Sequence, residues 1–409
     1  MRRVVITGLG AVTPIGNNVE AMWDSVKANK CGIERITHFD PTDWSVTVAG
    51  EVKDFNAEEI MSRSEARKMD LFTQYALVAA TEAMNDSGID MEKEQSDRCG
   101  VIFSSGIGGL GTIQRECMRG EQKGYERLSP HFIPMSITNM AAGHIAIRFG
   151  IHGMCTCVVT ACAGGTNAIG DAFRQIKDGY HDIMFCGGSE ASITTLGIGG
   201  FASMKALSTA SDPMRASIPF DKERGGFVMG EGAGVLILEE YEHAKKRGAK
   251  IYCELAGYGA TCDANHVTAP LADGSMAAAC MKKAMEEAQI SPEDMDYINA
   301  HGTSTVLNDK SETKAVKLAF GEAAKKLAIS STKSMTGHLL GASGAVEAII
   351  TTLAVQNDSM PATVNYREYD EECDLDIIPN EMRKATVNYA MSNSLGFGGH
   401  NASLVFKKI

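Results

Sequence analysis

The chain predicts an α/β fold with largely parallel sheets, built as two similar halves. Three observations carry this. Short apolar strands alternate with segments of helical spacing, the strands run directly into glycine-rich loops, and the order helix, polar turn, strand, loop occurs twice. In the first half Ala83-Met84 and Ile89 lead to a strand that enters Gly106; in the second, Ala284-Met285 and Ile290 lead to Tyr297-Ile298-Asn299-Ala300, which enters Gly302. The ends of the halves also match. Gly232-Ala233-Gly234-Val235-Leu236-Ile237-Leu238-Glu239 resembles Asn401-Ala402-Ser403-Leu404-Val405-Phe406-Lys407. The expected boundary lies near residue 250, dividing the chain into 1–250 and 251–409, although alanine-rich helices also produce such echoes by chance.

Taken in order, Arg3 to Thr7 reads as a buried strand and Gly8-Leu9-Gly10-Ala11-Val12-Thr13-Pro14 as the turn after it. A dinucleotide loop is discounted there, because Thr13 stands where a third glycine belongs and no acidic residue follows at the right strand end. Asn18 to Ala28 has helical spacing. Ala57 to Gly88 reads as two helices, the second apolar at Leu77, Ala80, Ala83 and Met84. Val101 to Phe103 is a strand entering Ser104-Ser105-Gly106-Ile107-Gly108-Gly109. Ile183 to Cys186 is a short strand ending at Gly187-Gly188-Ser189-Glu190, and Phe227 to Glu239 reads as a strand pair interrupted by Gly230-Glu231-Gly232-Ala233-Gly234. Leu339 to Val355 is a helix containing Glu347.

Composition excludes several classes. With 409 residues, 44% of them hydrophobic and 22% charged, the chain can bury a large core. A net charge of −12 argues against a nucleic-acid binder, which carries a basic face. No apolar stretch approaches the roughly 20 residues that span a bilayer, and Thr7, Gly8 and Pro14 interrupt the start before a signal sequence forms. Eleven cysteines without paired spacing argue for a reducing, cytoplasmic setting rather than a disulfide framework. Cys155-x-Cys157 lacks the second pair that a zinc site needs, so no metal ligands are assigned.

The chemistry is expected at Ala161-Cys162-Ala163-Gly164-Gly165-Thr166-Asn167. An apolar run delivers a cysteine into a small-residue turn that opens a helix. Backbone N–H groups can approach the sulfur there, and the positive helix end favours a thiolate near neutral pH. A buried structural cysteine is the competing reading of this stretch alone. In the second half His301 follows a strand and is itself followed by Gly302-Thr303-Ser304-Thr305. His338 ends Thr332-Lys333-Ser334-Met335-Thr336-Gly337 at the mouth of the Glu347 helix, and Phe397 sits within Asn393-Ser394-Leu395-Gly396-Phe397-Gly398-Gly399-His400. A single histidine is more often structural, but two at loops after strands, opposite a cysteine, point to a site.

Together, Ala161-Cys162-Ala163-Gly164-Gly165, His301-Gly302-Thr303-Ser304-Thr305, Lys333-Ser334-Met335-Thr336-Gly337-His338 and Gly396-Phe397-Gly398-Gly399-His400-Asn401 resemble the β-ketoacyl-acyl-carrier-protein synthases, from Met1 to the C-terminus. The pattern is most similar to the elongating branch, because His338 takes the third place of a Cys-His-His set. The resemblance implies the thiolase-like fold, five layers α-β-α-β-α from two similar halves, in a homodimer. It implies decarboxylating condensation of a malonyl unit with an acyl chain on Cys162, both carried on acyl carrier protein, with no external cofactor. A polyketide-type ketosynthase shares these motifs, and a non-catalytic chain-length or scaffold subunit is disfavoured by Cys162.

The resemblance also assigns roles. His301 and His338 would stabilise the enolate, Lys333 the site's electrostatics, and the N–H groups of Cys162 and Phe397 an oxyanion hole. Phe397, freed by Gly398 and its neighbours, would gate the acyl pocket, with Ile107 at its far end and Thr303 and Thr305 on the pantetheine arm. Glu347 would order water or hold a structural monovalent cation, although from the sequence a helix-surface carboxylate fits equally. Asp309 and Glu312 are candidate counter-charges to Lys333. Arg63, Arg67 and Lys68, with Lys205 by family mapping, would dock the acidic carrier protein; Ser64 stands where a lysine commonly adds to that patch. Gly164-Gly165-Thr166-Asn167 also departs from the family's usual turn, with a consequence expected for helix packing rather than for the thiol.

Overall fold

The computed structural model describes residues 2–409. Its five principal N-terminal strands are β1 (Val4–Val12), β2 (Cys99–Ser104), β3 (Cys155–Val158), β4 (Ile183–Glu190) and β5 (Gly232–Glu240). Five more follow: β6 (Glu254–Cys262), β7 (Tyr297–Asn299), β8 (Ala328–Ser330), β9 (Tyr389–Gly396) and β10 (His400–Lys407). The spatial order is β3-β2-β4-β5-β1 in the first half and β8-β7-β9-β10-β6 in the second. Parallel and antiparallel pairs fall at the same places in both. The two ladders join where Val4 and Val5 of β1 meet Leu255 and Glu254 of β6, and Asp376–Ile377 extends the edge beside β8.

The strands alternate between two cores, as a pleated sheet covered on both faces requires. Leu236 and Leu238 of β5 and Leu404 and Phe406 of β10 point into a central core. There they meet helices α2 (Gly164–Lys177) and α5 (Ser343–Asn357), which pack against each other between the sheets. Val235 and Ile237 point outward to α1 (Leu71–Ser87), and Val405 to α3 (Ser275–Ala288) and α4 (Val306–Phe320). The result is the expected five layers, with α5 enclosed on every side from Ser343 to Val355.

The internal echo has a physical cause. A Cβ on Gly8 would lie 2.4 Å from the Ala83 carbonyl oxygen and one on Gly10 1.8 Å from that of Ala79. In the second half, a Cβ on Gly257 or Gly259 would lie 2.1 or 2.0 Å from the carbonyl oxygen of Ala284 or Cys280. Each outer helix presses its backbone onto a Gly-x-Gly strand, which demands small residues on both partners. This corrects three sequence expectations. Gly8 and Gly10 lie inside β1 rather than in a turn, and β4 continues through Gly187 and Gly188 to Glu190. Phe227 to Glu239 is not a strand pair: β5 begins at Gly232, while Phe227 and Met229 bridge to Leu207 and His338.

Candidate active site

The nucleophile candidate stands on a bent connection. After β3 the chain turns at Ala161, φ +49°, through one short turn (Ala161–Ala163), and α2 begins at Gly164. The left-handed backbone at Ala161 is an uncommon conformation for a residue with a Cβ. Gly396 lies over this elbow, where a Cβ would come 2.8 Å from the Thr160 oxygen. The approach turns the backbone N–H of Phe397 toward the Cys162 sulfur, and the N–H of Cys162 itself also faces it.

The thiol differs from expectation. Burial pushes Cys162 up to about 11, against the opposing pull of the Lys333 ammonium and the two N–H groups. At neutral pH it is a protonated thiol, because desolvation outweighs the nearby positive charges.

His301 follows β7 and is anchored by its own backbone. Its N–H and that of Gly302 donate to the two carboxylate oxygens of Glu312 on α4, each at 2.8 Å. Glu312 is therefore a buried positioning group for the loop, and Asp309 takes the N–H of Phe220 at 2.8 Å. Lys333 has a different counter-charge, since its ammonium is ion-paired to Glu347 with both side chains almost fully enclosed. Glu347 is thus neither a helix-surface carboxylate nor a lining residue, and burial raises it to about 7.

His338 is clamped by main chain on both sides: its N–H donates to Val228 O at 2.7 Å and its carbonyl accepts from Gly230 N at 2.8 Å. Its Nδ1 lies 2.8 Å from the Ser343 hydroxyl. The two imidazoles stand 5.3 Å apart and nearly perpendicular, with Phe227 edge-on to His338. Burial first, and then the Lys333 ammonium, hold both rings well below the usual histidine range, so both are neutral.

These groups share a cavity of about 340 Å³ lined by Cys162, His301, His338 and Phe397, with Thr303, Thr305 and the exposed Lys205. The Thr303 and Thr305 hydroxyls are 2.9 Å apart. Lys333, Ile107, Gly398 and Glu347 lie outside this lining, as do the expected docking residues Arg63, Arg67 and Lys68. Ile107 packs in an apolar cluster with Cys162, Ile193 and Leu340. Gly398, at φ +88°, gives its N–H to Val267 O at 2.7 Å, and Glu347 sits behind Lys333. Arg63, Arg67 and Lys68 are exposed around a single turn (Arg63–Ala66) that also carries Glu65.

Two residues that sequence reasoning left without a role hold the site together. Glu190, wholly buried at the end of β4, accepts from the N–H groups of Gly106 (2.7 Å), Ile107 (3.2 Å) and Gly341 (3.1 Å). It ties the Ile107 loop to the segment after His338. Ser343 touches His338 directly. A carboxylate closing a buried strand was the available signal for Glu190, and for Ser343 there was none.

Family models for the β-ketoacyl synthase N-terminal and C-terminal domains match residues 1–244 and 252–367. A Synechocystis protein named 3-oxoacyl-[acyl-carrier-protein] synthase 2 is 51% identical over 408 residues, covering 100% of this chain and 98% of its own. A Staphylococcus aureus protein of the same name is 51% identical over 407 residues, with the same coverage. Among solved structures, a ketosynthase in complex with a type II PKS acyl-carrier protein is 36% identical, with a TM-score of 0.91 over 100% of this chain and 99% of that one. A β-ketoacyl synthase from Burkholderia phymatum is 34% identical, with a TM-score of 0.92 and full coverage of both chains. Matched in both halves by family models and over its whole length by relatives, the chain belongs to the β-ketoacyl synthase family.

Proposed function

We propose that this chain is the condensing enzyme of fatty acid elongation, joining malonyl-acyl-carrier protein to an acyl chain held on Cys162. One observation carries the reading: a buried thiol flanked by two backbone N–H groups shares a cavity with two neutral imidazoles. In the first stage the Cys162 sulfur attacks the acyl thioester. The carrier's pantetheine sulfur departs, and the thiol proton ends on it. The N–H groups of Cys162 and Phe397 take the charge of the tetrahedral intermediate, an arrangement worth roughly 3–4 kcal/mol per donor.

In the second stage a malonyl thioester enters past Thr303 and Thr305. Its carbonyl oxygen accepts from His301 and His338, which as neutral rings donate without introducing a charge. Loss of carbon dioxide leaves an enolate on that oxygen, and its carbon attacks the acyl-Cys162 carbonyl. The 3-oxoacyl product is two carbons longer, the thiolate leaves, and one proton restores the thiol. Burial, with the Lys333 ammonium adding to it, keeps both rings deprotonated. Ile107, in the apolar cluster around Cys162, sets the depth available to the chain, and Phe397 gates its entry.

The reading includes a homodimer, supported by the edge strand β3 with exposed Met154, Val159, Ile133 and Ile147 near it in sequence. It includes docking of an acidic carrier through Arg63, Arg67, Lys68 and Lys205. A cytoplasmic setting is supported by eleven free cysteines, and no helix among the described residues is long and apolar enough to cross a membrane. The second oxygen of Glu347 and the Ser392 hydroxyl are buried without partners, on a helix and strand that pack together. They suit a monovalent cation with a structural role, which a rise in melting temperature on adding potassium would report. No external cofactor takes part in the chemistry.

The test is the intact mass of the protein after incubation with long-chain acyl-carrier protein and then malonyl-carrier protein. An added acyl group that is absent in Cys162→Ala and clears as 3-oxoacyl product forms is the expected result. A folded dimer that takes up no acyl group sinks the reading in favour of a scaffold. Condensation only with oligoketide chains turns it toward a polyketide-type ketosynthase.

A further inference from the structure

The catalytic groups lining the active-site cavity have roles in the reading above, but nothing in it explains what fixes the proton on His338. The ring is neutral, so one nitrogen carries hydrogen and the other a lone pair, and only one arrangement donates to a thioester oxygen. Nε2 is buried without any protein partner, whereas Nδ1 lies 2.8 Å from the hydroxyl of Ser343.

We propose that Ser343 is a positioning residue for His338: its hydroxyl donates to Nδ1 and thereby keeps the ring hydrogen on Nε2, ready for the malonyl thioester oxygen. The inference rests on the enolate-stabilising role given to His338 above. Among the described residues, Nδ1 is the one partner within hydrogen-bonding distance of this hydroxyl, and Ser343 is only 2% exposed. If Nδ1–H donated to Oγ instead, the hydroxyl hydrogen would be buried with no acceptor. An unmade buried bond is costly, while the opposite direction satisfies both atoms and leaves only Nε2–H open toward substrate.

The backbone explains how a residue beyond the next turn reaches back to the ring. Leu340 adopts φ +49°, the short turn Leu340–Ala342 runs directly into α5, and Ser343 is the first residue of that helix. The corresponding first residue of α2 is Gly164, where a Cβ would stand 2.1 Å from the Ser104 hydroxyl. A side chain at this point of the first half would have to displace the Ser104 hydroxyl, whereas the second half holds Ser343.

The experiment separates the two stages. Ser343→Ala is expected to lower malonyl-carrier decarboxylation by about tenfold, the worth of an ordinary hydrogen bond, while acylation of Cys162 changes by less than about twofold. Ser343→Thr, which retains the hydroxyl, restores decarboxylation. In the wild-type protein labelled with ¹⁵N-histidine, the His338 signals should show hydrogen on Nε2 and a hydrogen-bonded lone pair on Nδ1. Hydrogen on Nδ1 in the wild type, or undiminished decarboxylation in Ser343→Ala, overturns the inference. Failure of the wild type to acylate Cys162 counts against the reading of the site instead.

Discussion

The two halves build the same connection and use it differently. In the first, β3 runs into an elbow at Ala161-Cys162-Ala163 and then α2. In the second, β8 is followed by Lys333, His338 and an elbow at Leu340-Gly341-Ala342 before α5. Ala161 and Leu340 share φ +49°, and the two elbows pack against one another at the centre of the molecule. Cys162 therefore corresponds to Gly341. A Cβ on Gly341 would lie 2.3 Å from the Gly106 N–H nitrogen and 3.0 Å from a Glu190 oxygen. One copy of the turn carries the proposed nucleophile, and the other is a packing surface against the Ile107 loop. The same backbone turn thus presents a thiol in one half and packing in the other.

Breaking the first elbow has the largest expected effect. Cys162→Ala should lower condensation at least about a thousandfold and abolish the acyl adduct in the intact mass, since no thiol in the second elbow can substitute. Breaking the second acts on stability. Gly341→Ala drives a Cβ into backbone and should cost about 2–3 kcal/mol in urea unfolding. Gly164→Ala meets the Ser104 side chain, whose unpartnered hydroxyl can rotate away, and should cost about 1 kcal/mol. Equal losses would mean that the two elbows are packed alike.

The third expectation concerns pH. The thiolate is the form that alkylates, and burial raises the Cys162 thiol above the ordinary cysteine value, so its reactive fraction at neutral pH is reduced. Iodoacetamide labelling of the free enzyme at Cys162, followed by peptide mass, should keep rising with pH toward about 11. A plateau below pH 8 would show that the helix end and Lys333 win over desolvation. The smallest effect lies at the rim: Arg67→Glu should raise KM for carrier protein severalfold and weaken its salt dependence, leaving kcat with a small acyl-thioester substrate unchanged.

Much of the site was legible because its motifs are local. Cys162, His301, His338 and Phe397 each sit in a glycine-containing loop next to a strand, a pattern that adjacent residues encode. The glycines misled wherever their purpose was long-range. Gly8 read as a turn and Gly187 as a strand end, yet each lies within a strand pressed by another backbone, at Ala83 and Gly234 respectively. Asp309 and Glu312 read as counter-charges to Lys333. Their work is to hold the backbone N–H groups of Phe220, His301 and Gly302, which periodicity does not reveal.

The sequence by itself determined the alternation of strand and helix, the two related halves and the loops that carry reactive side chains. These depend on side-chain period and on the backbone preferences of neighbouring residues, which are properties of short segments. Only the tertiary structure decided that Lys333 pairs with Glu347, that Glu190 joins two loops, that Ser343 turns back to His338, and that Cys162 rests as a protonated thiol. Each of those outcomes is set by desolvation and by partners brought in by the fold. The energy of a buried charge or donor is fixed by what surrounds it in space.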